Sequence, residues 1–159
     1  MRFIKLLPLG LALCATAGCT TLAEPAAAVS ERSAERTAVE FMDAFNSLDA
    51  ARFDAFFADD VTMFFPSGPF PRSRVVGKVA VTAAFHRVFD MARQRGTTRL
   101  SIQPLGLEVQ DYGQFAVATF HLRGNGNIGR RSILLRRIAG RWLIVHFHAS
   151  SLEEAPEAP

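Results

Sequence analysis

Two histidines near the end of the chain, His146 and His148, are the residues whose type and spacing most suggest chemistry. They stand two apart in an apolar stretch, and in a strand such residues share one face. Zinc needs three or four ligands, and neither a cysteine nor a nearby acid completes the set. The sequence therefore predicts no metal and no cofactor. It leaves two roles for the pair, a packed interface or a pocket wall.

His121 is another histidine in a predicted strand, and it would be a candidate for proton transfer if it lay in a pocket. An imidazole in an apolar pocket has its charged form disfavoured, which tunes it for acid–base work near neutral pH. Asp60 and Tyr112 could assist it if the pocket reaches them. Asp59 and Asp60 also have a simpler role, because acids before a strand commonly cap the turn that enters it. The catalytic candidates are thus His121, Asp60 and Tyr112.

The other charged residues form no recognisable active-site motif. Arg130 and Arg131 are one pair along a predicted strand, and Arg136 and Arg137 are another. Each pair places one side chain on each face, so the four predict solvated edges and salt bridges rather than a phosphate-binding patch. His86 is interpreted as a helix-edge residue. The sequence has no Ser-His-Asp order, phosphate loop, CxxC or HExxH, which argues against hydrolase, kinase and metalloprotease functions.

The first 18 residues have the pattern of an export signal. Arg2 and Lys5 form a basic start, and the apolar run over residues 6–17 is too short to span a bilayer. Its end, Thr16-Ala17-Gly18-Cys19, resembles a bacterial lipobox, although Thr16 stands where an aliphatic residue is usual. The resemblance implies a periplasmic lipoprotein, anchored to a membrane by lipid on Cys19. A soluble secreted protein with an ordinary signal is the alternative.

Removal of this segment changes the charge of the chain. Lys and Arg fall from 18 to 16 while Asp and Glu stay at 15, so the net charge falls from +3 to +1. Such a small charge argues against a nucleic-acid partner. Cys19 becomes the only cysteine, so no internal disulfide can form. Residues 19–29 predict a tether and residues 153–159 a disordered tail.

Helices are predicted in the first half of the domain. Ser30 or Ser33 can cap a first helix, Asp49 can cap a second, and a third follows Gly77. Residues 61–65 predict a strand between the second and third helices. The helices have apolar stripes at helical spacing. In the first and third helices these are Ala34, Ala38, Phe41, Met42, Phe45 and Leu48, then Val81, Ala84, Phe85, Val88, Phe89 and Ala92.

Beyond the third helix the apolar pattern has a period of two, which predicts a four-strand antiparallel meander. Leu100 and Ile102 begin the first of these strands, and a bulge is expected at Pro104 and Gly106, where the phase changes. Helices followed by strands indicate an α+β fold over residues 30–152. A curved sheet wrapped over three helices leaves a cone whose open end is a natural ligand pocket.

Two stretches resemble a known superfamily. Phe56 to Pro66, F-F-A-D-D-V-T-M-F-F-P, resembles the helix-to-strand junction of the nuclear transport factor 2-like superfamily. Arg141 to Ser150, R-W-L-I-V-H-F-H-A-S, resembles its last strand, most of all in SnoaL-like domains and in the hub domain of calcium/calmodulin-dependent kinase. The resemblance covers most of residues 30–152. It implies a cone-shaped α+β fold, which hosts many functions.

The resemblance also argues against the isomerase chemistry of this superfamily. In ketosteroid isomerase a carboxylate base stands immediately before the proline that ends the first strand, and that residue is Phe65 here. A tyrosine of the first helix is the enzyme's oxyanion donor, and the matching residue is Phe41. A phenyl ring can neither take a proton nor stabilise an enolate. We therefore expect no isomerase activity.

The kinase hub has arginines in its pocket, and the matching positions here hold Ala149, Ile133 and His121. Only His121 is polar, so an anion bound as in the hub is not expected. The resemblance implies an apolar pocket with His121 as its polar group. The residues expected to line it are Phe41, Phe45, Phe65, His121, Ile133, Leu135, Val145, Phe147 and Ala149.

The opposite face of the last strand is expected to form a homodimer interface. Its residues are Trp142, Ile144, His146 and His148, and together they would make a larger apolar patch than monomers usually expose.

Two functions are compatible with this pattern. A binding domain for a small apolar or aromatic molecule, or for a segment of a partner protein, is favoured because the pocket lacks an acid–base pair. The alternative is a SnoaL-like enzyme with isomerase, cyclase or hydrolase chemistry, in which His121 is the general acid or base.

Overall fold

The structure, a computed structural model, describes residues 33–66, 68, 70–124 and 126–153. The predicted signal, the whole tether with Cys19, and the tail beyond Glu153 lie outside these residues. No helix of the described part has the length and hydropathy that crossing a membrane requires. The elements are α1 (Ala34–Asn46), α2 (Ala50–Asp54), β1 (Phe57–Phe64), β2 (Val75–Val76), α3 (Lys78–Gln94), β3 (Leu105–Asp111), β4 (Phe115–Gly124), β5 (Asn127–Ile138) and β6 (Arg141–Glu153).

The helices begin where the sequence predicts. The hydroxyl of Ser33 accepts a 3.1 Å hydrogen bond from the backbone N–H of Arg36, which caps α1. The carboxylate of Asp49 caps α2 in the same way through the N–H of Arg52, at 3.0 Å. Gly77 precedes α3 with a φ of 89°, a conformation that a residue with a Cβ adopts at a cost. The prediction of three N-terminal helices is confirmed.

All six strands form one sheet in the order β2-β1-β6-β5-β4-β3. The strands β3 to β6 form the predicted antiparallel meander. The first strand is longer than predicted, since it begins at Phe57, and it pairs in parallel with β6, the last. The α+β fold with helices packed on a mixed sheet is confirmed.

The segment before β3 is not the strand that its alternation predicts. Leu100 and Ile102 are half-buried in non-strand chain, and the carboxamide of Asn46 in α1 bonds both backbone polar groups of Ile102 at 2.8 and 3.0 Å. The register irregularity expected near Gly106 is present, because the pairing of β3 with β4 shifts between Leu105 and Glu108.

A second irregularity lies in β6 and was not predicted. Leu134 of β5 pairs with His146, but Leu135 pairs with Ile144, so the register skips Val145. One extra residue in a strand reverses the alternation beyond it. Before the bulge the buried residues are Trp142 and Ile144, and after it they are Phe147 and Ala149.

Phenylalanine rings from the helices and from β1 and β6 fill the space between sheet and helices. Phe53, which is fully buried, is at the centre, and its ring centroid lies 4.8 to 5.8 Å from those of five others. Those five are Phe41, Phe45, Phe57, Phe85 and Phe89. Tilted and edge-on ring contacts at this spacing add to the stabilisation from buried area.

Candidate functional site

We call the side of the sheet that packs against the helices the inner face, and the other side the outer face. Buried residues define the inner face on each long strand. They are Val61 and Met63 of β1, Trp142, Ile144, Phe147 and Ala149 of β6, Ile133 and Leu135 of β5, and Ala116, Ala118 and Phe120 of β4.

Most residues expected to line a pocket do lie at this inner surface. Phe41, Phe65, Ile133, Leu135, Phe147 and Ala149 are all buried and belong to the hydrophobic core, and Phe45 is half-buried against it. Several of them pack against one another. The ring of Phe41 lies 5.9 Å from that of Phe147, and Phe65 lies 5.2 Å from Phe85. That they line a ligand pocket stays a prediction, and the ring contacts favour a filled core at Phe41 and Phe147.

The placement of His121 in that pocket was wrong. His121 is exposed, and its neighbour Phe120 points into the core, because β4 alternates regularly and puts Ala116, Ala118 and Phe120 inside. Val145 was also misplaced, since it is the half-buried bulge residue between two inner-face pairs. An imidazole on the outer face cannot reach a substrate held between sheet and helices. The acid–base mechanism built on His121 therefore has no geometric support.

Asp60 and Tyr112, the two residues expected to assist His121, are also exposed and lie away from the buried inner face. Asp60 is exposed, and both of its carboxylate oxygens accept from Nη2 of Arg136, at 3.1 and 3.2 Å. Tyr112 is 67% exposed in the turn after β3 and makes a long 3.5 Å contact with Gln110. His86, interpreted as a helix-edge residue, is half-buried on α3 and hydrogen-bonds the carboxylate of Asp54 at 2.9 Å.

The expected interface set is divided by the bulge in β6. Trp142 and Ile144 are 5% and 0% exposed in the core, so their assignment to an interface was wrong. The ring of Trp142 has the guanidinium of Arg137 over it, at 5.6 Å. His146 and His148 are on the outer face, one half-buried and one exposed. A strict period of two put all four on one face, and a single extra residue separates them.

His146 has the most distinctive environment on the outer face. Its Nδ1 lies 2.7 Å from the hydroxyl of Thr62 on β1, and the ring of Phe64 lies 6.1 Å away. Burial, with smaller effects of nearby His148 and Arg74, lowers the pKa of His146 and favours the neutral ring. Among the described residues, no group of three or more histidines, cysteines or acids is placed to hold a metal ion.

Arg131 is an inner-face residue that the sequence interpretation missed. It lies in phase with Gly129, Ile133 and Leu135 of β5, and it pairs with Phe120 on one side and Ala149 on the other. Burial lowers the pKa of its guanidinium, which still carries its charge at neutral pH. The prediction of solvated edges and salt bridges suits Arg130, which is exposed, and Arg136, which pairs with Asp60. It does not suit Arg131 and Arg137, which are half-buried on the inner face.

Gly129 makes room for this guanidinium. A Cβ at residue 129 would lie 2.8 Å from Nη1 of Arg131, 3.0 Å from Nη2 and 3.1 Å from Cζ, so the charged group lies flat against the glycine. Nη1 donates to the carbonyl oxygens of Arg130 and Ser150, both at 2.9 Å. A glycine inside a strand often marks such a close approach, and this was the available sequence signal.

The region around Arg131 contains the less completely buried apolar residues of the inner face. Leu122, which pairs with Gly129, is half-buried, and so is Leu107 of β3. On the side of β1, Phe65 stacks on the half-buried Phe70 at 4.8 Å, with an angle of only 11° between the rings. We call the half-buried residues Leu107, Leu122, Phe70 and Arg131 the rim. The rim is less completely buried than the core around Phe53.

Comparison with known protein families assigns this domain to a family. A family model described as a SnoaL-like domain matches residues 35–154. The chain belongs to this family. A search of curated proteins gives no significant match. The matched range covers all six strands and the three helices, except for Ala34, the first residue of α1.

Solved structures agree with the fold. A nuclear transport factor 2-like protein of unknown function from Pseudomonas putida KT2440 is 25% identical, over 72% of this chain and 81% of its own, with a TM-score of 0.62. A protein provisionally assigned as a calcium/calmodulin-dependent protein kinase type II association domain, from Thiobacillus denitrificans ATCC 25259, is 22% identical over 76% and 96%, with a TM-score of 0.58.

A third structure carries an enzyme name. A protein provisionally assigned as a ketosteroid isomerase, from Parabacteroides distasonis ATCC 8503, is 17% identical over 76% of this chain and 89% of its own, with a TM-score of 0.57. Similarity at this level shows the fold alone. Phe65 and Phe41, which the sequence resemblance matched to the isomerase base and oxyanion donor, are both buried among other rings.

Proposed function

We propose that this SnoaL-like domain binds a small apolar or aromatic molecule at the inner face, near Arg131. The observation that supports the proposal is the set of residue types on the inner face. On β1, β4, β5 and β6, the buried and half-buried inward positions that the structure describes include no carboxylate, imidazole or phenol, and their ionisable residues are Arg131 and Arg137. A guanidinium can orient a ligand but is too basic to exchange protons at neutral pH. Binding is therefore favoured over catalysis.

A panel of small aromatic and aliphatic compounds, screened by thermal shift on the full-length protein, tests this proposal. A ligand that binds the folded state raises the melting temperature in proportion to its occupancy. Leu122→Ser should abolish the shift, because it removes apolar surface from the rim. His121→Ser is the matched control, since residue 121 is the exposed neighbour on the outer face. If no compound stabilises the protein, or if His121→Ser abolishes the shift instead, the site is misassigned.

We also propose that the outer face forms a homodimer. Support comes from a row of paired residues across the sheet, Thr62, His146, Leu134, Val117 and Gln110, whose middle members are half-buried and mostly apolar. Light scattering should give twice the monomer mass at pH 7.5. Leu134→Glu should give the monomer, whereas Gln94→Glu, at the exposed end of α3 on the opposite side of the sheet, should remain dimeric. A wild-type monomer at every concentration would contradict the proposal.

Export and lipid attachment form a third proposal, which rests on residues 1–19 of the sequence. Labelled palmitate should be incorporated into the wild type and not into Cys19→Ala. A mature N-terminus at another residue would indicate an ordinary secretory signal and a soluble secreted protein.

A further inference from the structure

The arginines of this domain differ in their hydrogen-bonding partners. Arg36, Arg52, Arg93, Arg99 and Arg136 each pair with a carboxylate at 3.1 Å or less. Arg131 instead donates only to two neutral carbonyl oxygens, and within the described part of the chain no carboxylate lies in salt-bridge range of it. A positive charge taken partly out of water without an anion is a costly arrangement.

The remaining donors of Arg131 have a geometry suited to one ligand class. Nη1 makes both carbonyl hydrogen bonds, and neither Nε nor Nη2 bonds to any residue that the structure describes. Nε–H and Nη2–H point in parallel along one edge of the planar guanidinium, which matches the spacing of two carboxylate oxygens. Gly129, which has no Cβ, lets the face of the guanidinium lie flat against the strand.

We propose that Arg131 binds the carboxylate of a small amphipathic monoanion, whose apolar part lies against the half-buried Leu122 and Leu107. This inference rests on the proposed binding function and names the chemical class of its ligand. One guanidinium balances one negative charge, so a carboxylate is favoured over a phosphate dianion, which would leave excess charge beside apolar side chains. Phe120 and Ala149, which pair with Arg131 on either side, are buried, so the half-buried Leu122, which pairs with Gly129, is the apolar surface next to the anchor.

Phenylacetate and phenylacetamide are matched probes for this proposal. They share the ring and differ mainly in charge, and both dissolve in water, so a lipid anchor or detergent on the full-length protein does not sequester them. Isothermal titration at pH 7.5 should show phenylacetate binding about ten- to one-hundred-fold more tightly, since hydrogen bonds to charged groups are worth about 1.5–3 kcal/mol. This comparison needs no variant.

Two neighbouring arginines provide the variant and its control. Arg131→Met keeps the length of the side chain and removes the charge, so it should bind both probes equally and at the affinity of the amide. Arg130→Met should keep the wild-type preference, because Arg130 is exposed on the outer face and bonds the hydroxyl of Ser150. Arg131→Lys keeps the charge without the planar pair of donors and should lose part of the preference.

The outcomes separate this inference from the proposed function. Equal binding of the two probes by the wild type, or a preference that survives in Arg131→Met, overturns the carboxylate assignment and leaves an apolar binding site. If neither probe binds but a compound of the thermal-shift panel does, the carboxylate inference fails and the proposed function stands. If no compound of the panel binds either, both fail.

Discussion

Replacement of Phe53 by alanine tests whether the aromatic core is the main source of stability. Phe53 is 0% exposed and touches five other rings, so its removal loses the buried area of one ring and leaves a cavity that rigid neighbours cannot close. Such substitutions cost about 3–5 kcal/mol. Since domains unfold with about 5–15 kcal/mol, Phe53→Ala should remove a large part of the stability.

Urea unfolding, followed by far-UV circular dichroism, gives the difference directly. Phe64→Ala is the matched control, because Phe64 is 39% exposed on the outer face and contacts only two histidine rings among the described aromatic pairs. It should cost less than about 1 kcal/mol. Thermal scans should show Phe53→Ala melting about 10–20 °C lower than the wild type. A loss below about 1.5 kcal/mol, or one equal to that of Phe64→Ala, would refute the central role of Phe53.

Three further predictions concern the two faces of the sheet. Trp142, the only tryptophan, is 5% exposed, so iodide should quench its fluorescence equally weakly in the monomer and in the dimer. Stronger quenching after dissociation would show that Trp142 is an interface residue. The lowered pKa of His146 stabilises the folded protein above the pKa of an unfolded histidine, about 6.5, and this stability is lost as the pH falls below that value. His146→Gln should therefore flatten the dependence of the urea midpoint between pH 7.5 and 5.0, and an unchanged slope would contradict it. Gly129→Ala should displace the Arg131 guanidinium and weaken phenylacetate binding. It should cost little stability, because the new methyl group would clash only with the end of a flexible side chain. Unchanged affinity in a titration would show that the guanidinium position is unimportant.

Local signals predicted the helices and most of the meander well. Ser33 and Asp49 are caps whose side chains bond the first turn, and both act within three residues along the chain. The apolar stripes of α1 and α3 need no tertiary information either, since one face of a helix must be buried. The parallel pairing of β1 with β6 was beyond such reasoning, because it joins strands at opposite ends of the domain.

The site was harder to predict because strand alternation is easily shifted. Both faces of β6 are apolar enough to be buried, and the bulge at Val145 lets Trp142 and Phe147, which differ in phase, share the inner face. A sequence pattern of period two cannot locate such a residue. Arg131 was missed for a related reason. Its neighbour Arg130 is exposed, and a pair of adjacent arginines indicates a surface edge until the pairing register is known.

Because the first strand pairs with the last, the sheet can be completed only after the last strand has been synthesised. Thr62 and His146, which hydrogen-bond across this contact, are 84 residues apart in the sequence. A ribosome releases the chain from its N-terminus, so β1 has no neighbour in the middle of the sheet until β6 has been made. The cooperative domain therefore forms only after synthesis of nearly the whole chain. Such a delay suits a protein that must stay unfolded for a translocation channel, as the proposed export requires. It also means that truncation before β6 would leave the aromatic core open on one side.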